Sequence, residues 1–188
     1  MRGAFALGVL MQADDLKALV RTIPDWPSAG IQFRDITTLI GDPAGLSASI
    51  ALLADHARAA GAQAIAGREA RGFIFGAAVA VELGIGFVPV RKPGKLPMKT
   101  IGVDYALEYG VDRLEMDPDA VHAGQRVVLV DDLIATGGTA CAAAQLLRQA
   151  GARVDHAVFV IDLPDLGGAK ALRDLDVEVH TLMAFDGD

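Results

Sequence analysis

Val127-Val128-Leu129-Val130-Asp131-Asp132-Leu133-Ile134-Ala135-Thr136-Gly137-Gly138-Thr139 is the stretch whose reading decides the fold. Its first four branched apolar residues read as a strand buried on both faces, the habit of parallel sheets covered by helices. Two adjacent carboxylates then mark where the strand ends and the chain leaves the sheet. Ala135 to Thr139 is a turn of small residues, and Ala140 to Ala150 reads as an alanine-rich helix that Gly151 can stop. The order is strand, acids, glycine turn, helix.

Such a turn suits an anion, because N–H groups unobstructed by side chains face outward and the helix N-terminus adds the positive end of its dipole. Asp131 and Asp132 would repel that anion, so they call for hydrogen-bond donors on the same ligand, or for a metal. Vicinal sugar hydroxyls are such donors. A ribose carrying a phosphate answers both halves of the stretch, and open parallel sheets bind ligands at the C-terminal ends of their strands. The alternative is a Rossmann-type or other α/β turn that happens to carry Asp-Asp and Gly-Gly.

The rest of the chain sets bounds. With 188 residues, 52% of them hydrophobic, it can bury one sizeable core and is about the length of one domain, so residues 1–188 are read as a single domain. Aromatics are only 5%, which leaves the core to Ala, Val, Leu and Ile. A net charge of −7 and a pI near 5.0 argue against a nucleic-acid or anionic-membrane surface. The lone Cys141 excludes an internal disulfide and reads as core filler, and the four histidines show no metal-ligand spacing.

Met1 to Met11 is apolar but too short for a full signal peptide, and no stretch approaches a membrane span. Residues 1–12 read as an extension. A helix is expected from Asp14, as N-cap, to Arg21. Pro24 to Gly30 is a turn-rich loop before the strand-like Ile31 to Ile36, in which Phe33 offers a flat face for a planar ligand. Asp42-Pro43 is an N-cap with proline at the first helical position, opening a long helix that Gly61 ends. Ala64 to Ala66 is a strand. The loop Gly67-Arg68-Glu69-Ala70-Arg71-Gly72 then sets two cations before the helix Phe73 to Leu83. After the strand Phe87 to Val90 comes Arg91-Lys92-Pro93-Gly94-Lys95, a cationic cluster in an acidic chain that suits a polyphosphate. Residues 92–124 form a connection far longer than typical, with a β-ribbon pattern over Thr100 to Leu107, and such connections are often lids. Ala157 to Ile161 and Val177 to Leu182 are two further strands, with a short helix around Gly168 to Asp174 between them. Five strands alternating with helices predict a parallel sheet covered on both faces.

Val127 to Thr139 resembles the 5-phosphoribosyl 1-pyrophosphate (PRPP) signature of the type I phosphoribosyltransferases. Pro24 to Ile36 and Arg91 to Pro97 resemble segments of the adenine-specific members, and Tyr105 to Gly110 resembles their flexible catalytic loop. The likeness runs from about Asp14 to about Phe185. It implies the α/β fold of that family: a mostly parallel five-stranded sheet flanked by helices, a small N-terminal hood with the base pocket (13–40) and a flexible β-ribbon lid (92–124).

The resemblance also implies a reaction, in which adenine and PRPP give AMP and pyrophosphate, with Mg²⁺ carried on substrate oxygens and water and no direct protein ligand. It assigns Ala135, Thr136, Gly137, Gly138 and Thr139 to the 5′-phosphate and Asp131 and Asp132 to the ribose hydroxyls. Glu69, Ala70, Arg71, Arg91, Lys92 and Lys95 go to pyrophosphate, with a non-proline cis peptide expected at Glu69–Ala70; Arg68 is left open because members vary there. Gln32, Phe33, Arg34 and Leu133 go to adenine, the base edge being read by the main-chain carbonyl of Gln32 and N–H of Arg34. Glu108, Tyr109 and Arg71 are the catalytic candidates. A homodimer in the cytoplasm, without nucleic-acid or membrane partners, is implied as well. Two alternatives stay open: a sister transferase for hypoxanthine, guanine or xanthine, which carries a lysine and an aromatic after the central stretch, and a PRPP-sensing regulator that has lost the catalytic loops. Phe159 and Asp162 have no lysine before Lys170, against the first. Arg91 to Pro97 and Glu108-Tyr109 are intact, against the second.

Overall fold

The computed structural model describes residues 11–106 and 110–187. In chain order its elements are α1 (Ala13–Leu19), β1 (Arg21–Pro24), β2 (Gln32–Asp35), α2 (Thr37–Gly41), α3 (Pro43–Ala59), β3 (Ala64–Arg68), α4 (Arg71–Leu83), β4 (Gly86–Val90), β5 (Ile101–Ala106), β6 (Val111–Met116), β7 (Arg126–Ile134), α5 (Gly138–Gln149), β8 (Arg153–Asp162), α6 (Gly168–Arg173) and β9 (Glu178–Ala184). Five strands form one sheet in the order β4-β3-β7-β8-β9, every neighbouring pair parallel. The α/β class and the five-stranded parallel sheet expected from the strand–helix alternation are what the chain adopts.

The sheet separates two apolar layers. Val128, Val130, Val158 and Val160 pack beneath α3 and α4 with Leu53, Ala57, Phe75 and Val79, whereas Leu129, Ala157 and Phe159 pack beneath α5 and α6 with Ala143, Leu146, Leu147 and Leu172. Alternate residues of one strand thus feed opposite layers, which is why β7 reads as an unbroken apolar run. Truncating a filled position such as Phe159 to Ala would cost roughly 3–5 kcal/mol. The start of α3 forms as expected: the Asp42 carboxylate accepts from the Gly45 N–H at 2.7 Å, and Pro43 takes the first position.

Two expectations need correction. Helix α1 is capped by Gln12, not Asp14, with the Asp15 carboxylate accepting from the Gln12 N–H at 2.9 Å, and it stops at Leu19 because Arg21 pairs with Asp35 across the β1–β2 ribbon. The acids do not end β7, which runs on to Ile134 paired with β8; what ends at Val130 is the pairing with β3. Asp131 and Asp132 therefore sit on a strand supported from one side only, which opens the other side to ligand. The β-ribbon pattern over Thr100 to Leu107 is found as β5, paired antiparallel with β6, and the base of that ribbon is packed. Leu114, Met116 and Val121 are buried, and Arg91 and Glu115 exchange backbone hydrogen bonds that tie β6 to the end of β4. Residues 1–10 and Glu108 and Tyr109 lie outside the described residues. Among the described residues no helix is long and apolar enough to cross a membrane.

Candidate functional site

Two cavities adjoin at the C-terminal edge of the sheet. The first, about 240 Å³, is lined by Arg68, Arg71, Asp131, Leu133, Ile134 and the turn from Ala135 to Ala140. The second, about 330 Å³ and mainly apolar, is lined by Ile31 to Arg34 of the hairpin and by Leu163 and Leu166, and it shares Arg71, Leu133 and Thr136 with the first.

The polar cavity is floored by the turn. Gly137 stands at φ +83° as N-cap of α5, and the first amides of a helix have no partner within it, so those of Gly138, Thr139 and Ala140 face the space ahead. The turn is buttressed from behind. Gly168 N–H donates to the Ala135 carbonyl at 2.9 Å, and a Cβ on Gly168 would stand 2.3 Å from that carbonyl oxygen. Gly168 is a supporting residue that sequence reasoning passed over as the mere start of a short helix.

The acids are buried and paired with cations from far away in sequence. Arg68 Nε donates to Asp131 Oδ2 at 3.2 Å, and Arg71 Nε lies 2.6 Å from Asp132 Oδ2. Asp131 Oδ1 accepts the Asp132 N–H at 2.9 Å, while Asp132 Oδ1 is buried without a hydrogen-bond partner among the described residues. Burial pushes the Asp131 carboxyl above its ordinary value; the Arg68 charge opposes this and the Asp132 charge reinforces it. An orphaned buried acceptor costs free energy unless a ligand supplies the donor. A Cβ on Gly72 would lie 2.6 Å from Asp131 Oδ1, so a glycine there gives the carboxylate its room.

The loop of the expected pyrophosphate residues is more divided. The Glu69–Ala70 peptide is cis, as the resemblance implied, and so is Trp26–Pro27. Arg71 lines both cavities, but Glu69, Ala70, Arg91, Lys92 and Lys95 line neither. The Glu69 carboxylate is taken up by Arg91 Nε at 2.7 Å and the Lys92 N–H at 3.0 Å; burial raises this group, but those bonds outweigh it and hold it below the ordinary range. Lys92 Nζ lies 3.1 Å from Asp112, and Arg91 donates to the Lys95 carbonyl at 2.9 Å. Arg68, which sequence reasoning left open, is at the acids.

In the apolar cavity the structure brings together all four expected residues, Gln32, Phe33, Arg34 and Leu133. Phe33 meets Trp26 edge to face at 4.4 Å. Among the described residues strand β2 pairs with β1 alone, so its other edge keeps main-chain donors and acceptors open. Arg34 turns its guanidinium away, to Thr22 Oγ1 (2.7 Å), the Asp186 carbonyl (3.0 Å) and the Phe185 ring. Asp35 anchors the strand end, accepting from the Thr37 hydroxyl (2.6 Å), the Thr37 N–H (3.0 Å) and Arg21. Leu163 and Leu166 were missed; their signal was two apolar residues flanking Pro164 just beyond a buried strand.

The chain matches the model of the phosphoribosyl transferase domain over residues 38–183. It is 70% identical over 177 residues to the adenine phosphoribosyltransferase of Erythrobacter litoralis, a match covering 94% of this chain and 99% of that one. The crystal structure of adenine phosphoribosyltransferase from Thermoanaerobacter pseudethanolicus superposes with a TM-score of 0.88 at 47% identity, covering 93% of this chain and 100% of that one. The Saccharomyces cerevisiae enzyme, solved with adenine and an imino-altritol bisphosphate, gives a TM-score of 0.85 at 39% identity over 91% of this chain and 98% of that one.

Proposed function

This chain belongs to the phosphoribosyl transferase family, and from that premise we propose how it transfers the 5-phosphoribosyl group of PRPP to adenine, giving AMP and pyrophosphate in purine salvage. The observation that carries the reading is the pair of cavities joined through Arg71, Leu133 and Thr136, one polar and amide-lined, one apolar and flat-walled. A phosphoribosyl donor and a purine would meet at that junction.

In this reading the amides from Ala135 to Thr139 take the 5′-phosphate and the two acids take the ribose hydroxyls, the unpartnered Asp132 Oδ1 among the acceptors. Arg71 leaves Asp132 for the pyrophosphate as the hydroxyls arrive, and Arg68 plays the same part for Asp131. Lys95 is an exposed reserve cation, with Glu69, Ala70, Arg91 and Lys92 forming the loop that presents it. Departure of pyrophosphate leaves an oxocarbenium-like centre on the ribose, and adenine, held on the opposite face between Phe33 and Leu133, attacks it. No covalent nucleophile is needed. The carboxylate oxygens of Asp131 and Asp132 suit the surroundings of a hard divalent cation, and Mg²⁺ would be carried there on substrate oxygens and water, without a direct protein ligand. When bound, it neutralises charge on pyrophosphate.

Glu108, followed in sequence by Tyr109, accepts the proton that adenine releases. Glu108→Gln should lower kcat by at least about 10²-fold and leave the KM for PRPP within twofold; equal losses in both would make Glu108 structural. The same reading takes residues 13–40 as the hood, places the enzyme in the cytoplasm and pairs two copies near the pyrophosphate loop and Arg91, where Ile74 of α4 stands exposed. Sedimentation at micromolar concentration checks the dimer, which an active monomer would contradict. The deciding experiment measures AMP formation from adenine, PRPP and Mg²⁺ beside hypoxanthine, guanine and orotate. Absence of product with adenine would overturn the reading.

A further inference from the structure

Away from both cavities, toward the N-terminal ends of β8 and β9, three ligating side chains converge. His156 and Glu178 are register partners on the two strands, and His180 follows Glu178 by two residues, on the same face. His156 shares its face with Val158 and Val160, so the group lies on the side of the sheet that α3 covers. Glu178 lies between the imidazoles, its Oε2 3.6 Å from His156 Nδ1 and its Oε1 3.2 Å from His180 Nε2. The three sets of ligating atoms all lie within 4.8 Å of one another. From above, His56 of α3 stacks its ring on His180 at 4.8 Å.

Among the described residues His156 Nδ1 is buried without a hydrogen bond, the Glu178 carboxylate standing 3.6 Å away. A lone pair withdrawn from water, a second imidazole and a carboxylate converging on one point form the donor set of a borderline metal ion. Two histidines and one glutamate form a known Zn²⁺ ligand set, with ligand bonds of about 2.0–2.2 Å, so bound atoms sit roughly 3.3–3.5 Å apart in a tetrahedron. The two glutamate–imidazole separations already stand near that value, and binding would require the His156 and His180 rings, now near-parallel with centroids 6.1 Å apart, to turn toward the shared ion. Mg²⁺ prefers an all-oxygen shell and does not suit two imidazoles.

We propose that His156, Glu178 and His180 bind one Zn²⁺, which fastens the edge strand β9 to β8 beneath α3. The fourth position is open to water, because Glu178 faces solvent. None of the three lines either cavity, so the metal acts on the stability of the sheet edge and not on transfer. The inference is independent of the reaction proposed above.

The full chain, free of any histidine tag and stripped with EDTA, is titrated with ZnCl₂ and separately with MgCl₂ by calorimetry, and its melting temperature is followed. One Zn²⁺ per chain, a rise of several degrees at saturation and no comparable response to Mg²⁺ are expected. His180→Gln and Glu178→Gln should each weaken Zn²⁺ at least about tenfold. Asp131→Asn and Asp132→Asn should leave it unchanged, which separates this site from the substrate acids. Co²⁺ in place of Zn²⁺ should give tetrahedral d–d absorption without a thiolate band, separating it from Cys141. If His180→Gln fails to fold, Glu178→Gln, altered at an exposed side chain, decides alone. No binding up to millimolar Zn²⁺, or affinity unaltered in folded Glu178→Gln, overturns the proposal.

Discussion

Two buried aspartates, one ending the strand beside the apolar cavity and one lining the polar cavity, are held in opposite ways. Asp35, at the end of the strand that lines the apolar cavity, accepts from both Thr37 donors and from Arg21, and those bonds hold its carboxyl down at about 2. Asp131, in the polar cavity, has one backbone amide and one arginine, and burial raises it. A carboxylate that braces the fold has its donors built in, whereas one that serves a ligand is left short of them. The shortfall costs stability in the free protein and, in the function proposed above, is made good by substrate hydroxyls.

The widest effect expected of this contrast is selectivity at the apolar cavity. There the proposed Gln32 carbonyl and Arg34 N–H match the amine and ring nitrogen of adenine; hypoxanthine reverses both polarities and would leave buried groups unpaired. Specificity constants should favour adenine by roughly 10⁴-fold. Values within tenfold of each other would falsify the main-chain pocket while leaving the polar half standing.

In the polar half, Asp132→Asn removes a charged acceptor and leaves Arg71 without its partner. A loss of about 3 kcal/mol, or on the order of 10²-fold in kcat/KM for PRPP, should follow. The KM for adenine should stay within about twofold, since this acid is not in the apolar lining. Unchanged PRPP kinetics would mean that the acid serves only the fold, as Asp35 does.

Phe33→Ala is the smaller, mirror-image test. Loss of one stacking face should raise the KM for adenine by about tenfold and spare PRPP. An equal rise for both substrates would show that the ring supports the hairpin rather than the base.

The smallest effect is in stability. Because the folded carboxyl of Asp35 titrates at about 2 instead of 3.8, its contribution is fully present above about pH 4 and fades as pH falls toward 2. Asp35→Asn should cost on the order of 1 kcal/mol in urea unfolding at neutral pH and flatten the acid limb of the profile. Asp131 runs the other way: with its carboxyl raised, ionisation opposes folding as pH climbs, so Asp131→Asn should leave the neutral-pH midpoint unchanged or higher. A profile identical to that of the unaltered protein in Asp35→Asn would remove the structural half of the contrast.

Much of this chain was written locally. The apolar run of β7, the small-residue turn, α5 and the Asp42-Pro43 start of α3 follow from propensities, caps and periodicities that act within a few residues, and those parts are found nearly where the residues put them. The four expected lining residues of the apolar cavity were also legible, through resemblance. Only the tertiary structure decided where β7 loses its β3 neighbour, that Arg68 and Arg71 reach across some sixty positions to the acids, and that Gly168, Leu163 and Leu166 close the site from the far side of β8. It alone drew His56, His156 and His180 together. No spacing in the chain announces such meetings, because they depend on strand register and on which helix covers which face, and those are set by burying the two apolar layers of the whole sheet at once.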